Sequence, residues 1–313
     1  MAPEMTVALM VDRRRERGAR VLQSVLSQSV LDRLEILLFD FGHLACPPLA
    51  GSEHPAITTV PMQYPSSIGE VRLEAFRKAQ GSIVAFLEEH TVAFPGWAEA
   101  LLNRFAEGDW AGVGAEVYPL NPGWIGDALF TMNYPRYIAP AAGGPSVILQ
   151  GNNSAYRRDV VLCLGDDLTE LLEIEALLNW RLAERGCLLY VEPEARFAHA
   201  NEHILYTFLE GDYIFSRMFG ALRAESQGWT AADRWSRVFG SPAIPFVRTL
   251  RLIRSLAMKR PELLPTVVRA LPAILAAEVA SVAGQTMGLV FGPGRSRQQF
   301  LFYELNTVRD ELD

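Results

Sequence analysis

Residues 81–97, GSIVAFLEEHTVAFPGW, restrict this chain more than any other stretch. The apolar run 83–87 has the length and composition of a buried strand. It ends abruptly in Glu88, Glu89 and His90, and a Pro95-Gly96 turn then leads into a helix-like segment. In open α/β sheets, ligands gather at the carboxyl ends of the strands. Two carboxylates and an imidazole leaving one strand together offer oxygen and nitrogen donors to a divalent cation. The competing reading is a polar strand end followed by a solvated loop.

The surroundings of this block set the fold class. Further apolar runs stand at 6–11, 35–39 and 57–60, and segments 17–29 and 69–80 have helical composition. Another strand is expected at 110–117 and one more at 188–191. Strands alternating with helices at this spacing predict an α/β chain built on a mostly parallel central sheet flanked by helices. Between 119 and 145 lies a segment rich in Pro, Gly and aromatics, including Trp124, Tyr134 and Tyr137. It reads as a long loop of the kind that is either functional or mobile, with a local aromatic mini-core as the alternative.

Bulk properties narrow the classes. The 313 residues are 50% hydrophobic, enough for a substantial core and against global disorder. A net charge of −7 argues against an extended nucleic-acid surface. Cys46, Cys163 and Cys187 are isolated, with no CxxC spacing. That fits a reducing, cytoplasmic setting and argues against a disulfide framework or a cysteine zinc site. The opening, MAPEMTVALMVDRRR, lacks the apolar core of a signal peptide and reads as the start of the fold. No G-x-G-x-x-G follows the first strand, which sets aside a dinucleotide-dependent oxidoreductase.

The strand, the Glu88-Glu89-His90 cluster and Pro95-Gly96-Trp97 resemble the acidic-motif segment of family 2 glycosyltransferases, which have the nucleotide-sugar-binding GT-A fold. In that family two or three aspartates stand where Glu88-Glu89-His90 stands here. VLQSVLSQS followed by LEILLFD is similar to the family's first helix and second strand, and the resemblance extends over roughly the first two hundred residues. It implies a GT-A (Rossmann-like) domain over 1–240, with a helical extension over 241–313.

The resemblance also assigns roles. Asp40 matches the first of two acids after the second strand and would contact the nucleotide, but Phe41 replaces the second. Arg72 falls where the family carries an arginine on the helix before the acidic motif; its planar fork suits phosphate. Glu88 and Glu89 would face the donor, and Glu89, His90 and the late His199 would hold the metal. QGNNSAYRR is similar to the segment beside the acceptor and diphosphate, which implicates Asn152 and Asn153. Anchoring on Arg181-Leu182 and Gly186 places Ile174-Glu175 on the family's Glu-Asp pair, so Glu175 takes the position of the catalytic base.

Periodicity bears on Glu175 independently. One helix is expected over 168–185, with Leu171, Ile174, Leu178 and Leu182 as its apolar stripe and Glu175 on or beside that face. A carboxylate facing a core is rarely left unpaired, so the alternative is a salt bridge to an arginine such as Arg181 or Arg185. His203, four residues after His199, would share a helical face with it if a helix begins early enough.

From 246 onward the character changes. FVRTLRLIRSLAMKR places Arg248, Arg251 and Arg254 at three-residue intervals among apolar residues, a basic amphipathic helix. The apolar stretch after Pro261 is interrupted by Arg269, Glu278 and Gln285, while Gly284, Gly288 and Gly292 recur every four residues, a spacing for close helix packing. Packing on the catalytic domain, oligomerisation and peripheral contact with the inner face of a membrane are all open readings.

Together these features lead to an inverting glycosyltransferase. It would take a nucleotide-sugar donor and a glycan, polysaccharide or lipid-linked acceptor, with a divalent cation, Mn²⁺ in preference to Mg²⁺ because imidazole suits softer ions. The rival is a degenerate GT-A-like protein that binds a glycan or partner without turnover, since Phe41 and Ile174 stand at usually acidic positions.

Overall fold

The structure is a computed structural model, and it describes residues 2–121, 123–151 and 153–309. The chain divides into two compact units. One runs to Leu120 and includes Arg136–Ala200; the other comprises Asn121–Pro135 and the described residues from Asn201 onward.

The first unit carries the sheet. In chain order it contains β1 (Met5–Val11), α1 (Arg15–Leu26), β2 (Leu34–Asp40), β3 (Ile57–Pro61), α2 (Ile68–Lys78), β4 (Ile83–Glu88), β5 (Thr91–Ala93), α3 (Trp97–Ala106) and β6 (Trp110–Pro119). The chain then passes through α4 (Trp124–Asn133) of the second unit and returns as β7 (Gly144–Ser146), β8 (Ser154–Arg157), α5 (Arg158–Leu162), α6 (Leu168–Glu173), α7 (Glu175–Glu184) and β9 (Leu188–His199). The strand order is β3-β2-β1-β4-β8-β6-β9-β5, with β7 also on β9. β1 runs parallel to both β2 and β4, and β2 parallel to β3. β8 is antiparallel to β4 and β6.

Burial follows from position in the sheet. β1 and β2 are central and buried at every residue, so they read as continuous apolar runs. β3, at the edge, is at most half-buried. The parallel register sets Val11 beside Asp40 and Met10 beside Glu88. The carboxyl ends of β1, β2 and β4 therefore lie side by side, and all carry acidic residues. α2 starts sharply because Ser67 and Glu70 form a capping box.

Two expectations change here. The single helix over 168–185 is two helices, because Ile174 adopts extended backbone (φ −132°, ψ 111°) between α6 and α7. Glu175 is thus the first residue of α7, at the positive end of its dipole, rather than part of a mid-helix stripe. The segment 119–145 is also not one loop: it contains α4, and the Tyr137 ring is buried with its hydroxyl donating to the Ile148 carbonyl at 2.8 Å.

The second unit is helical: α4, α8 (Leu205–Ser226), α9 (Ala231–Gly240), α10 (Ile244–Lys259), α11 (Leu264–Arg269), α12 (Leu271–Phe291) and α13 (Ser296–Asn306). After α4 the unit resumes at Asn201, and position 240 lies within it. The reason is α8, which packs along α12. A β-carbon at Gly284 would meet the Tyr213 carbonyl and one at Gly288 the Arg217 carbonyl, so the small-residue stripe lets the two backbones approach. By length and composition α12 could cross a membrane, yet Ser281 on it is buried against Ser216 of α8 at 2.8 Å. Arg248 of α10 reaches Glu278 and Gln285 of α12 at 3.4 and 3.2 Å.

Candidate active site

The carboxyl end of β4 meets the end of β9 through β5, whose Thr91 pairs with His199 in antiparallel register. The Thr91 hydroxyl donates to the Glu88 carbonyl (2.7 Å) and the Ala200 amide to the His90 carbonyl (2.9 Å), which fixes the intervening turn. As a result Glu88, His90 and His199 form one cluster. His90 Nε2 lies 2.9 Å from Glu88 Oε2 and 3.2 Å from His199 Nε2. His199 Nε2 lies 3.5 Å from the same oxygen. Bonds of about 2.1 Å to a first-row cation set neighbouring donors about 3.0–3.4 Å apart, so these three atoms have the spacing of ligands to one ion. Both imidazoles are buried. Burial pushes the Glu88 carboxyl up, but His90 and His199 outweigh it and hold it well below the usual carboxylate range.

Glu89 does not join them. Adjacent residues leaving a strand point to opposite sides, and Glu89 turns into the first unit's interior, where it is 1% exposed. There it forms an ion pair with Arg17 of α1 and accepts the Asp12 amide at 3.3 Å. Burial raises its carboxyl to about 7 against the pull of Arg17. The expected metal set changes accordingly: among the described residues the group that could hold a cation takes its carboxylate from Glu88, while Glu89 is paired with Arg17. Sequence reasoning missed Arg17, although period-two alternation across Glu88-Glu89 was a signal that the acids part company.

Asp40 is also taken up by an arginine. Arg15 donates to its two oxygens at 2.8 and 3.0 Å, and the Gly42 amide donates at 2.9 Å. Phe41, in place of an acid, packs on Tyr64 with ring centroids 4.8 Å apart, and the Tyr64 hydroxyl donates to Asp12 at 2.8 Å. An aromatic pair thus stands at the strand ends where a second carboxylate was absent.

Arg72 and Glu175, 103 residues apart, form an ion pair. The same guanidinium donates to the carbonyls of Leu172 (3.0 Å) and Gly151 (2.9 Å). Arg72 therefore orients the candidate base, where the sequence suggested phosphate contact for it and Arg181 or Arg185 as the partner of Glu175. Arg181 instead pairs with Asp167 at 2.8 Å. Burial opposes the Arg72 charge, and Glu175, with Glu88 further off, more than offsets it. The base candidate and the donor cluster thus share one electrostatic neighbourhood. Gly151 makes room for the base candidate: a β-carbon there would fall on the Glu175 carboxylate, which would have to move aside.

Asn153 is fully buried, and neither of its amide atoms has a partner among the described residues. Asn152 lies outside the described residues. Glu173 caps the start of α2, accepting the Gly69 amide at 3.1 Å. His203 belongs to the helical unit, with Nδ1 3.1 Å from the Arg309 carbonyl, so it shares no helical face with His199.

Residues 15–165 match the family model for glycosyl transferase family 2. Among curated proteins none matches. The mannosyltransferase PcManGT from Pyrobaculum calidifontis, solved in complex with GDP-Man and Mn²⁺, is 18% identical with a TM-score of 0.54, over 97% of this chain and 86% of that one. The crystal structure of GalNAc-T7 with UDP, GalNAc and Mn²⁺ is 13% identical with a TM-score of 0.50, over 63% of this chain. This chain covers only 43% of the length of the GalNAc-T7 chain. At these identities the likeness speaks for the fold, which is GT-A, and the match over residues 15–165, just under half of the chain, marks that part as similar to glycosyl transferase family 2.

Proposed function

We propose that this chain is a metal-dependent, inverting hexosyltransferase that moves a sugar from a nucleoside-diphosphate sugar to an acceptor hydroxyl. The observation that carries the reading is the convergence of Glu88, His90 and His199 at the strand ends, with the Arg72-oriented Glu175 carboxylate in the same electrostatic neighbourhood. The similar structures hold nucleotide sugars or their parts with Mn²⁺, which supports a donor of that class.

The donor set fits a divalent cation: two imidazole nitrogens and a carboxylate oxygen at ligand spacing. When bound there, such an ion would offset the charge of the donor's diphosphate as it leaves. Glu175 accepts the proton of the acceptor hydroxyl while that oxygen bonds to the anomeric carbon. The carbon's bond to the diphosphate oxygen breaks on the opposite face, the electron pair leaves with the diphosphate, and configuration inverts. Arg72 keeps the carboxylate aimed. Asn153, whose burial without partners costs about 1–3 kcal/mol, is suited to take a sugar or acceptor hydroxyl. A glycan or lipid-linked alcohol supplies that hydroxyl.

Calorimetric titration of UDP, GDP and dTDP sugars, with and without Mn²⁺, tests the reading on wild type and His90→Ala. Metal-dependent binding of one donor, weakened in the variant, is expected. A folded protein that binds none of them would overturn the enzyme reading in favour of a binding protein.

A further inference from the structure

We propose that the outer face of α9 and α10 is a docking surface for an anionic lipid bilayer, a property separate from the glycosyl-transfer reading. Residues 231–260 hold seven Lys and Arg against one acid, Asp233, in a chain whose net charge is −7. Asp233 is itself occupied, closing the capping box with Thr230 at the start of α9. The stretch thus carries a net charge of opposite sign to that of the whole chain.

The same stretch exposes large apolar side chains. Phe239 is 78% exposed, Leu250 67%, Phe246 65% and Trp235 50%. Trp235 and Phe239, one turn apart on α9, lie with ring centroids 5.9 Å apart. On α10, Phe246, Leu250 and Arg254 recur every four residues and share a face with Val247, Arg251 and Met258, all exposed. The opposite face is spent within the unit: Thr249 and Leu256 are buried, and Arg248 is bonded to Glu278 and Gln285 of α12. The three-residue run of arginines thus divides, Arg248 inward and Arg251 and Arg254 outward. No carboxylate bonds Arg251, Arg254 or Lys259 among the described residues.

Aromatic and aliphatic side chains that protrude from a helix, flanked by unpaired cations, suit the headgroup boundary of a membrane. The rings enter the acyl boundary while the guanidinium groups meet lipid phosphates. A protein partner would need grooves cut to each protruding ring, whereas a bilayer accommodates them without such fitting. Charge complementarity selects anionic lipid over neutral lipid.

The test is sedimentation of the full chain with vesicles of phosphatidylcholine, with and without phosphatidylglycerol. Binding that needs the anionic lipid and weakens with added salt is expected. Arg251→Gln with Arg254→Gln should lower partitioning about thirty-fold, and Phe239→Ser with Leu250→Ser should lower it about tenfold or more. All four positions are on the surface, and circular dichroism checks that the variants fold. Failure to sediment with anionic vesicles, equal binding to neutral ones, or variants that bind like wild type would each overturn the proposal. So would a dimer in light scattering that Phe239→Ser with Leu250→Ser dissociates, because the face would then belong to a second copy.

Discussion

Replacing Gly151 by alanine should disable the site through Glu175, without touching any acid or base directly. The β-carbon of Gly151→Ala would overlap all three atoms of the Glu175 carboxylate, so that group must swing away and leave Arg72. Removing one member of a fully buried ion pair costs about 3–5 kcal/mol. Here the carboxylate is displaced rather than deleted, and its side chain is 18% exposed. Water relieves part of the loss, which leaves about 1–3 kcal/mol of stability. The catalytic effect should be larger, because a misplaced general base forfeits about 10²–10⁴ in kcat. The assay is nucleoside-diphosphate release from the donor at saturating concentration, for Gly151→Ala, Glu175→Gln and the double variant, beside urea unfolding of each. If Gly151 acts only by making room for Glu175, the double variant is no slower than Glu175→Gln alone. Losses that multiply, or a Gly151→Ala enzyme with wild-type kcat while Glu175→Gln is dead, would refute the reasoning.

Three further outcomes follow from named contacts. Glu88→Gln should cost more in Mn²⁺ affinity than the roughly 10–100-fold typical of losing an outer partner, whereas Arg17→Ala should keep Mn²⁺ binding and lose about 3–5 kcal/mol in urea by stranding Glu89 in the interior; calorimetry and unfolding separate the two. Stability should fall as pH rises from about 4 through 7, because the Asp212 carboxyl is pushed up to about 7 by burial and by Glu278, with Arg248 opposing, from an ordinary 3.8. The folded chain keeps that proton where the unfolded chain has lost it, a loss of about 4 kcal/mol at full burial and about 2–3 for a side chain with a partly open edge; Asp212→Asn should remove that share of the slope in unfolding curves and leave the share of Glu89, whose carboxyl is raised likewise. Gly288→Ala would press a methyl on the Arg217 carbonyl of α8 and should lower stability by about 1–3 kcal/mol or more, read from thermal melts of the full chain.

The α/β class and most strands of the first unit were legible because central parallel strands are apolar throughout. Runs 83–87 and 35–39 could hardly be anything else. The break at Ile174 was not legible, since Leu168–Glu184 keeps helical composition across it and no proline or glycine marks the point. The extent of the helical unit was not legible for a related reason. α8 has the composition of an ordinary amphipathic helix, and its packing on α12 at Gly284, Gly288 and Ser281 assigns it to the helical unit. At the site, the residue types were readable while their pairings were not. Arg72–Glu175 joins positions 103 apart and Arg17–Glu89 positions 72 apart, and such partners are decided by which strand ends and helix starts the topology brings together.

The split between Glu88 and Glu89 bears on the choice of metal. With Glu89 withdrawn to Arg17, one carboxylate and two imidazoles remain on the ligand side. Carboxylate and water suit Mg²⁺, which holds few protein ligands and gives up its waters reluctantly. Imidazole suits later first-row ions, and affinity for a nitrogen-containing set rises from Mn²⁺ onward. Mn²⁺ should therefore bind about tenfold or more tightly than Mg²⁺ in calorimetric titration of the nucleotide-free protein. His199→Asp should narrow that gap by restoring a second carboxylate at the same strand end. Equal affinities in wild type, or a gap unchanged in His199→Asp, would mean that the two imidazoles at 3.2 Å are a hydrogen-bonded pair and not a ligand set.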